Sequence, residues 1–218
     1  IVILPLSFFF IVKGDYYLLF FLFAIFFVAN YELFSVFKKK ITILFLDTIL
    51  IVSLFSIYYL SNPHNGDKGN SFYILLWVII LCISSDVGGY AFGKIFKWRK
   101  LTKISPKKTV SGVLGSFIFS LLSVFIAEAF FPMIIDMPII NVEEMKINFL
   151  DAKFFFLAII FSLVAQAGDL TISYFKRLEK IKDTGKILPG HGGIFDRIDG
   201  MMFVIILGYV FYNLNIIP

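Results

Sequence analysis

Uninterrupted apolar runs constrain the fold of this chain more than any other feature. The stretch Tyr16–Ala29 (YYLLFFLFAIFFVA) shows no alternation of apolar and polar residues, which argues against a membrane β-barrel. About 20 helical residues cross the ~30 Å hydrocarbon core of a bilayer. The apolar segments are residues 1–12, 16–35, 41–60, 72–93, 112–135, 154–172 and 200–217, of which the first is short. They predict an all-α, polytopic transmembrane bundle of about seven helices.

Composition excludes a water-soluble domain. Hydrophobic residues make up 59% of the 218 positions, whereas soluble domains contain about 45–50%. The mean hydropathy of +0.90 agrees with this excess. A core of this size cannot bury so much apolar surface, so the lipid bilayer is the expected solvent. We see no soluble domain and no internal repeat.

Basic residues alternate between the two sides of the predicted bundle. The connections 38–40, 94–108 and 176–197 carry 16 of the 20 Lys and Arg residues, and the opposite connections carry the other 4. Short loops rich in Lys and Arg stay in the cytoplasm. The sequence therefore predicts that these three connections and the N-terminus face the cytoplasm.

Polar residues gather in three patches that all fall on this predicted cytoplasmic side. The patches are residues 86–97 (DVGGYAFGKIFK), 104–112 (ISPKKTVSG) and 168–199. A membrane scaffold alone does not require acids, lysines and glycines clustered at one face. Their convergence predicts a functional site there.

One group in the third patch has helical spacing. Asp169, Ser173, Lys176 and Arg177 are placed at i, i+4, i+7 and i+8, which is one helical face. A carboxylate can hold a hard metal ion, and cations one or two turns away can hold phosphates. The same pattern also suits an ordinary helix end in which the acid pairs with its own Lys176 or Arg177.

A glycine-rich segment follows Lys182 and Asp183. Residues 185–193 (GKILPGHGG) contain four glycines and a proline, which predicts a constrained loop and not a helix. Glycines allow backbone N–H groups to approach an anion closely. His191 could bind phosphate or transfer a proton there, although a plain connector would fit the same composition.

Two further acids stand directly after this loop. Asp196 and Asp199 are three residues apart, so they face the same way at a helix start. Two neighbouring carboxylates repel unless a cation lies between them, and Asp169 could face a divalent ion from the other side. Carboxylate-bound metal beside several cations predicts phosphoryl or nucleotidyl transfer.

Two other positions extend the predicted site. The pair Lys107 and Lys108 would bind phosphate beside an anion site, and would otherwise be only a topology signal. Asp86 shares a helical face with Tyr90, in a glycine-containing stretch that could equally serve helix packing.

The stretch Ser173–Asp199 (SYFKRLEKIKDTGKILPGHGGIFDRID) resembles the signature of the phosphatidate cytidylyltransferase family. Ser, Lys-Arg, Lys-Asp, Pro-Gly-His-Gly-Gly, Asp-Arg and Asp stand at the positions that the signature requires. Gly168–Leu170 and Ile104–Thr109 also look like family features, as does Asp86 with its following Gly-Tyr. One departure is Ile172, where many members carry a polar or acidic residue.

This resemblance implies an enzyme that makes CDP-diacylglycerol from CTP and phosphatidic acid. It implies a Mg²⁺ ion held by Asp169 and Asp196, with a second cation such as K⁺. The catalytic candidates are Asp169, Asp196, Lys176, Arg177, Asp183, His191, Arg197 and Asp199. The substrate-binding candidates are Asp86, Lys107, Lys108, Ser173, Lys182, Gly192 and Gly193.

The resemblance also suggests how the chain is organised. Residues 1–70 would be N-terminal membrane helices, and residues 71–218 a catalytic membrane domain with cytoplasmic loops at 94–111 and 173–199. A bacterial inner membrane is the expected location, with the active site facing the cytoplasm. No nucleic acid is expected as a partner, and a homodimer is left open.

Two other functions remain open from the residues. A CTP-dependent polyprenol kinase would need the same charged face but would transfer the γ-phosphoryl group. A transporter can also contain intramembrane acids, but its binding sites usually lie near the membrane midplane, and these residues crowd one face.

Overall fold

The chain folds as a bundle of α-helices. The computed structural model describes residues 3–62, 70–102, 104–135, 147–185 and 192–217. Within these ranges the helices are α1 (Ile3–Lys13), α2 (Asp15–Val36), α3 (Lys40–Ser61), α4 (Asn70–Phe96), α5 (Val110–Ile135), α6 (Ala152–Leu178) and α7 (Phe195–Asn213). The predicted all-α bundle with seven helical segments is confirmed.

The helices identify an integral membrane protein. Five of them, α2 to α6, contain apolar spans of 21 to 27 residues, which is enough to cross a bilayer. Large apolar side chains are exposed along these spans, including Phe20 and Phe27 on α2 and Ile41 on α3. Exposure of this kind is costly in water but is satisfied by lipid tails.

Close packing joins α4 to α5 near the polar end of the bundle. A Cβ atom on Gly88 would overlap the backbone oxygen of Gly115, and a Cβ on Gly115 would overlap the oxygen of Gly88. The two backbones therefore touch where both residues are glycine, as small residues allow in membrane helix pairs. This contact fixes the crossing of the two helices that border the site.

An aromatic core fills the opposite end of the bundle. The fully buried Trp77 on α4 packs against Phe154 and Phe161 of α6, with ring centroids 5.2 and 5.6 Å apart. Glu128 on α5 accepts a hydrogen bond of 2.9 Å from the backbone N–H of Phe149, just before α6 begins. The apolar packing is thus separated from the polar residues at the other end.

Helix ends converge at the polar end. The backbone N–H of Lys39, between α2 and α3, donates to Glu179 at the end of α6 over 3.3 Å. Arg177 near the end of α6 donates to the backbone oxygen of Ile104, in the connection between α4 and α5. The three basic connections therefore lie on one side of the bundle, as their charge pattern predicts.

Candidate active site

A polar cavity of about 320 Å³ opens among α4, α5, α6 and α7. Ligand pockets in proteins usually measure about 300–1,000 Å³. Its charged lining residues are Asp86, Lys107, Lys108, Asp169 and Arg197. All five were singled out from the sequence, and they come from α4, the connection after it, α6 and α7. The fold therefore brings the three polar patches to one place.

The connection between α4 and α5 presents the two lysines to the cavity. The two ends of this connection pair through an isolated antiparallel bridge between Lys100 and Thr109, and the N–H of Leu101 donates to the oxygen of Lys108 over 2.8 Å. The hydroxyl of Thr109 then accepts from the N–H of Gly112 over 3.1 Å and caps the start of α5. This turn places Lys107 and Lys108 at the mouth of the cavity.

One face of α6 carries the acid and the lysine that were expected to align. Ser173 donates from its hydroxyl to Asp169 Oδ1 over 3.3 Å, and Lys108 forms an ion pair with Asp169 Oδ2. Lys176, one turn further along α6, is buried. Asp169 therefore contacts Lys108 of the α4–α5 connection through one oxygen and Ser173 of its own helix through the other.

Lys176 joins α6 to the first turn of α7. Its Nζ lies 2.8 Å from Asp196 Oδ1 and 3.9 Å from Asp199 Oδ2. Lys176 thus ties α6 to both acids of α7, while Lys108 ties the connection before α5 to Asp169 of the same helix α6.

Asp196 organises the start of α7. Its Oδ2 accepts hydrogen bonds from the backbone N–H groups of Thr184 at 2.8 Å and Gly193 at 3.1 Å. Burial opposes ionisation, but the hydrogen bond from Lys176 and these two N–H groups outweigh it and lower the pKa of Asp196 below its usual value. The carboxylate is therefore charged at neutral pH and holds the loop against the helix.

The two glycines before α7 differ in what they do. Gly192 has φ of +81°, a left-handed conformation that favours glycine. Gly193 is buried, and its N–H is the one that donates to Asp196. Their proposed contact with substrate stays a prediction.

The carboxylates suit a magnesium ion. Mg²⁺ usually takes one or two protein carboxylates and completes its shell with water and substrate phosphates. Within the described ranges, no three His, Cys, Asp or Glu side chains cluster closely enough to hold a metal by themselves. A carboxylate has about four acceptor positions, and within the described residues Asp196 uses three of them for Lys176, Thr184 and Gly193. Asp169 lines the cavity, whereas Asp196 is not among the lining residues. Asp169 therefore fits a metal that binds together with its substrate, and Asp196 as a second ligand stays a prediction.

Some sequence candidates lie apart from the cavity lining. Lys182 and Asp183 are exposed. Arg177 is also exposed, and its guanidinium donates to the backbone oxygens of Ile104 at 3.3 Å and Ile181 at 2.9 Å. His191 falls outside the described residues.

Sequence reasoning missed several polar residues around the site. Gln166 lines the cavity and donates to Ser162 over 3.3 Å, and Ser162 lies 2.8 Å from Ser85 on α4. Glu32 on α2 is only 1% exposed and contacts the start of α7. An acid inside an apolar segment is itself a signal of function, and that signal could have identified Glu32.

Comparisons with known proteins agree with this picture. A family model described as the cytidylyltransferase family matches residues 39–215. A protein of Helicobacter pylori strain 26695, called phosphatidate cytidylyltransferase, is 38% identical over 59% of this chain and 43% of its own length. A Rickettsia typhi protein of the same name is 38% identical over 65% of this chain and 59% of its own length. A Staphylococcus haemolyticus protein of that name is 35% identical, over 63% and 48%. The chain thus spans about half the length of the curated relatives it matches.

Proposed function

The chain belongs to the cytidylyltransferase family, and we propose that it transfers the cytidylyl group of CTP to phosphatidic acid. The products are CDP-diacylglycerol and pyrophosphate. Similar proteins named phosphatidate cytidylyltransferase support this choice of substrates.

The observation that carries the proposal is the charge pattern of the cavity. Three cations, Lys107, Lys108 and Arg197, face a space that is also bordered by Asp86 and Asp169. Cations bind the oxygens of a triphosphate and of a lipid phosphate. Both reactants are anions, so a site that joins them must offset their mutual repulsion. The apolar exterior of the same helices is suited to the acyl chains.

The reaction needs little proton transfer. A phosphate oxygen of phosphatidic acid attacks the α-phosphorus of CTP and forms the new P–O bond. The bond between that phosphorus and the α,β-bridging oxygen breaks, and its electron pair leaves with pyrophosphate. Because the attacking oxygen is already an anion, catalysis depends on alignment and on neutralising charge.

Specific residues would carry these tasks. Lys107, Lys108 and Arg197 would hold the phosphate oxygens, and Lys176 would keep the two α7 acids in place. Asp169 and Asp196 would hold Mg²⁺, which supplies charge neutralisation at the phosphates when it is bound. Direct contacts of Arg177 and Lys182 with phosphate, and a second cation such as K⁺, remain predictions.

The cavity opens on the basic side of the bundle, and we place that side in the cytoplasm. The connections on this side carry 16 of the 20 Lys and Arg residues, which matches the positive-inside rule. CTP is a cytoplasmic metabolite, so the location of the proposed substrate agrees with the location that the basic residues predict. The relatives are bacterial, which supports an inner membrane location.

The proposal is tested with purified protein in vesicles that contain phosphatidic acid, supplied with Mg²⁺ and CTP labelled at either the α- or the γ-phosphorus. The α-label should appear in a lipid whose mass is that of CDP-diacylglycerol, and the γ-label should appear in pyrophosphate. Transfer of the γ-label to lipid would identify a kinase instead. Absence of labelled lipid with both substrates and Mg²⁺ present would refute the proposed activity.

A further inference from the structure

We propose that Glu32 is a positioning residue that holds the first turn of α7 in its active geometry. Glu32 lies in α2, in the apolar N-terminal part of the chain and before the region that the family model covers. It is 1% exposed. A buried acid in a membrane helix is costly, so its contacts require an explanation.

Both oxygens of Glu32 bind the start of α7. Oε1 accepts from the backbone N–H of Ile194 over 3.0 Å, and Oε2 accepts from the N–H of Phe195 over 3.1 Å. The first N–H groups of a helix have no partners within the helix. Ile194 itself has helical dihedral angles and no side-chain cap. Glu32 therefore supplies from another helix the cap that the local sequence lacks.

Two glycines allow this contact. A Cβ atom on Gly185 would lie 2.5 Å from Glu32 Oε1, and a Cβ on Gly193 would lie 2.5 Å from Oε2. Any larger residue at either position would push the carboxylate away. The glycine-rich segment is thus packed around Glu32 at both of its described ends. This gives Gly185 and Gly193 a role that does not require contact with phosphate.

Among the residues that the structure describes, Glu32 is contacted by N–H groups at the start of α7 and by no cation. In the parts of the chain that the structure describes, the ion pairs involve Lys108 and Lys176, and neither reaches Glu32. The N-terminus of a helix carries a partial positive charge, which stabilises a nearby anion. The two N–H donors and this dipole together compensate the burial of the carboxyl oxygens of Glu32.

This contact controls three groups of the proposed site. Asp196 and Arg197 lie in the turn that Glu32 caps, and Asp199 follows at the start of the next turn. Asp196 and Asp199 meet Lys176, while Arg197 lines the cavity. A shift of about 1 Å in catalytic groups can cost on the order of 100-fold in rate. Glu32 touches no reacting atom, so it acts through this turn.

The activity measurements on Glu32 variants rest on the proposed function, whereas the hydrogen–deuterium exchange measurements do not. Glu32→Gln keeps the shape of the side chain but replaces one acceptor oxygen with an NH₂ group. Glu32→Leu introduces an apolar side chain of similar size and removes both acceptor oxygens. Cytidylyl transfer should fall on the order of 10-fold for Glu32→Gln and about 100-fold for Glu32→Leu, as a positional error in the turn predicts.

The two variants separate positioning from simple packing. If Glu32 served only to fill space between α2 and α7, leucine would serve at least as well as glutamine in this apolar setting. The order Gln above Leu is therefore expected only if the acceptor oxygens matter. The reverse order, or activity within about twofold of wild type for both variants, would overturn the proposal.

Glu128 provides a matched control. It is also a glutamate in a membrane helix that accepts a backbone N–H, that of Phe149, but it lies at the far end of the bundle from the cavity. Glu128→Gln should leave cytidylyl transfer near the wild-type rate. A loss equal to that of Glu32→Gln would contradict the proposal, because it would show that losing any contact between a membrane glutamate and a backbone N–H inactivates the protein.

Hydrogen–deuterium exchange of the full chain in detergent measures the effect on structure. In Glu32→Gln the amides of residues 192–200 should exchange faster, and those near Phe149 should not change; Glu128→Gln should show the opposite pattern. Unchanged exchange at 192–200 would refute the role of Glu32 even if the enzyme were active. If wild type made no CDP-diacylglycerol, the proposed function would fail while the exchange data still decided whether Glu32 holds the turn.

Discussion

Replacing Lys176 with methionine should both destabilise the protein and abolish its activity. Lys176 is buried between α6 and α7, and its Nζ lies 2.8 Å from Asp196 and 3.9 Å from Asp199. Methionine has a similar length and no charge, so the packing of the side chain is retained. The variant therefore removes the cation and leaves two acids without their shared partner.

The size of the effect follows from the burial of the partners. Breaking a buried ion pair by removing one member costs about 3–5 kcal/mol. Asp196 keeps the N–H groups of Thr184 and Gly193, so we expect the lower end of that range. For a chain of this size 1 kcal/mol corresponds to about 2–4 °C in Tm, which predicts a loss of about 6–12 °C.

Thermal unfolding in one detergent, followed by tryptophan fluorescence, measures the loss for Lys176→Met. Lys38→Met is the matched control, because Lys38 is exposed between α2 and α3. Its free energy of unfolding should change by less than about 0.5 kcal/mol. The double variant Lys176→Met with Asp196→Asn should lose less than the sum of the two single losses, since the two side chains interact directly.

A Tm for Lys176→Met within about 2 °C of wild type would contradict this expectation, since it implies a cost of at most about 1 kcal/mol. Additive losses in the double variant would likewise show that Lys176 and Asp196 are not coupled. Activity must be measured below the Tm of each variant, so that loss of rate is not confused with unfolding. Wild-type cytidylyl transfer by a stably folded Lys176→Met would show that the lysine is not needed at the site.

Three other changes test separate parts of the account. Gly88→Ala should lower Tm by several degrees because the added Cβ overlaps the backbone of α5. Gly208→Ala should lower Tm less, because its Cβ would meet a side-chain methyl of Val78 at 3.3 Å. Equal losses of Tm would contradict close packing of α4 on α5. Lys107→Met should raise KM for CTP on the order of 10-fold at low salt, since it removes a cation from the cavity. An unchanged KM in initial-rate assays would exclude Lys107 from CTP binding. Asp169→Asn should reduce kcat at least ~100-fold and raise the Mg²⁺ concentration needed for half-maximal rate; full activity at the same Mg²⁺ would exclude it as a ligand.

Apolar runs predicted the helices but not all of their ends. The segment expected at 154–172 continues as helix to Leu178, and the segment expected from 200 begins at Phe195. Hydropathy locates the lipid-embedded part of a helix, whereas backbone hydrogen bonding continues into the polar residues beyond it. The turns beyond the apolar runs carry Lys176 and Asp196, which residue spacing and not hydropathy predicted to be helical. A site at the membrane surface is built from such polar ends of spanning helices.

Helical spacing predicted contacts within α6, but it did not predict which of these side chains would line the cavity. The contact of Ser173 with Asp169 follows from their i, i+4 spacing. Spacing also grouped Arg177 with them, yet the structure places its guanidinium on backbone oxygens of the neighbouring connection and of its own helix end. One step along a helix turns a side chain by about 100°, which is enough to direct neighbouring residues to different partners.

The contact between Glu32 and α7 could not be derived from local sequence. The partners lie 162 and 163 residues apart in the chain. Their meeting depends on how α2 packs beside α3 and α7, and apolar segments facing lipid do not specify their neighbours. The lone acid in an apolar run signals that a partner exists, but only the three-dimensional arrangement identifies it.

The proposed reaction requires CTP to bind in the cavity bordered by Lys107, Lys108, Asp169 and Arg197. A cryo-electron microscopy map of the full chain in a lipid nanodisc would locate the nucleotide, with Mg²⁺ and a CTP analogue whose α,β-bridging oxygen is replaced by a methylene group. We expect density for the triphosphate beside Lys107, Lys108 and Arg197, with the α-phosphorus nearest to Asp169. Nucleotide density elsewhere on the bundle, with this cavity empty, would contradict it.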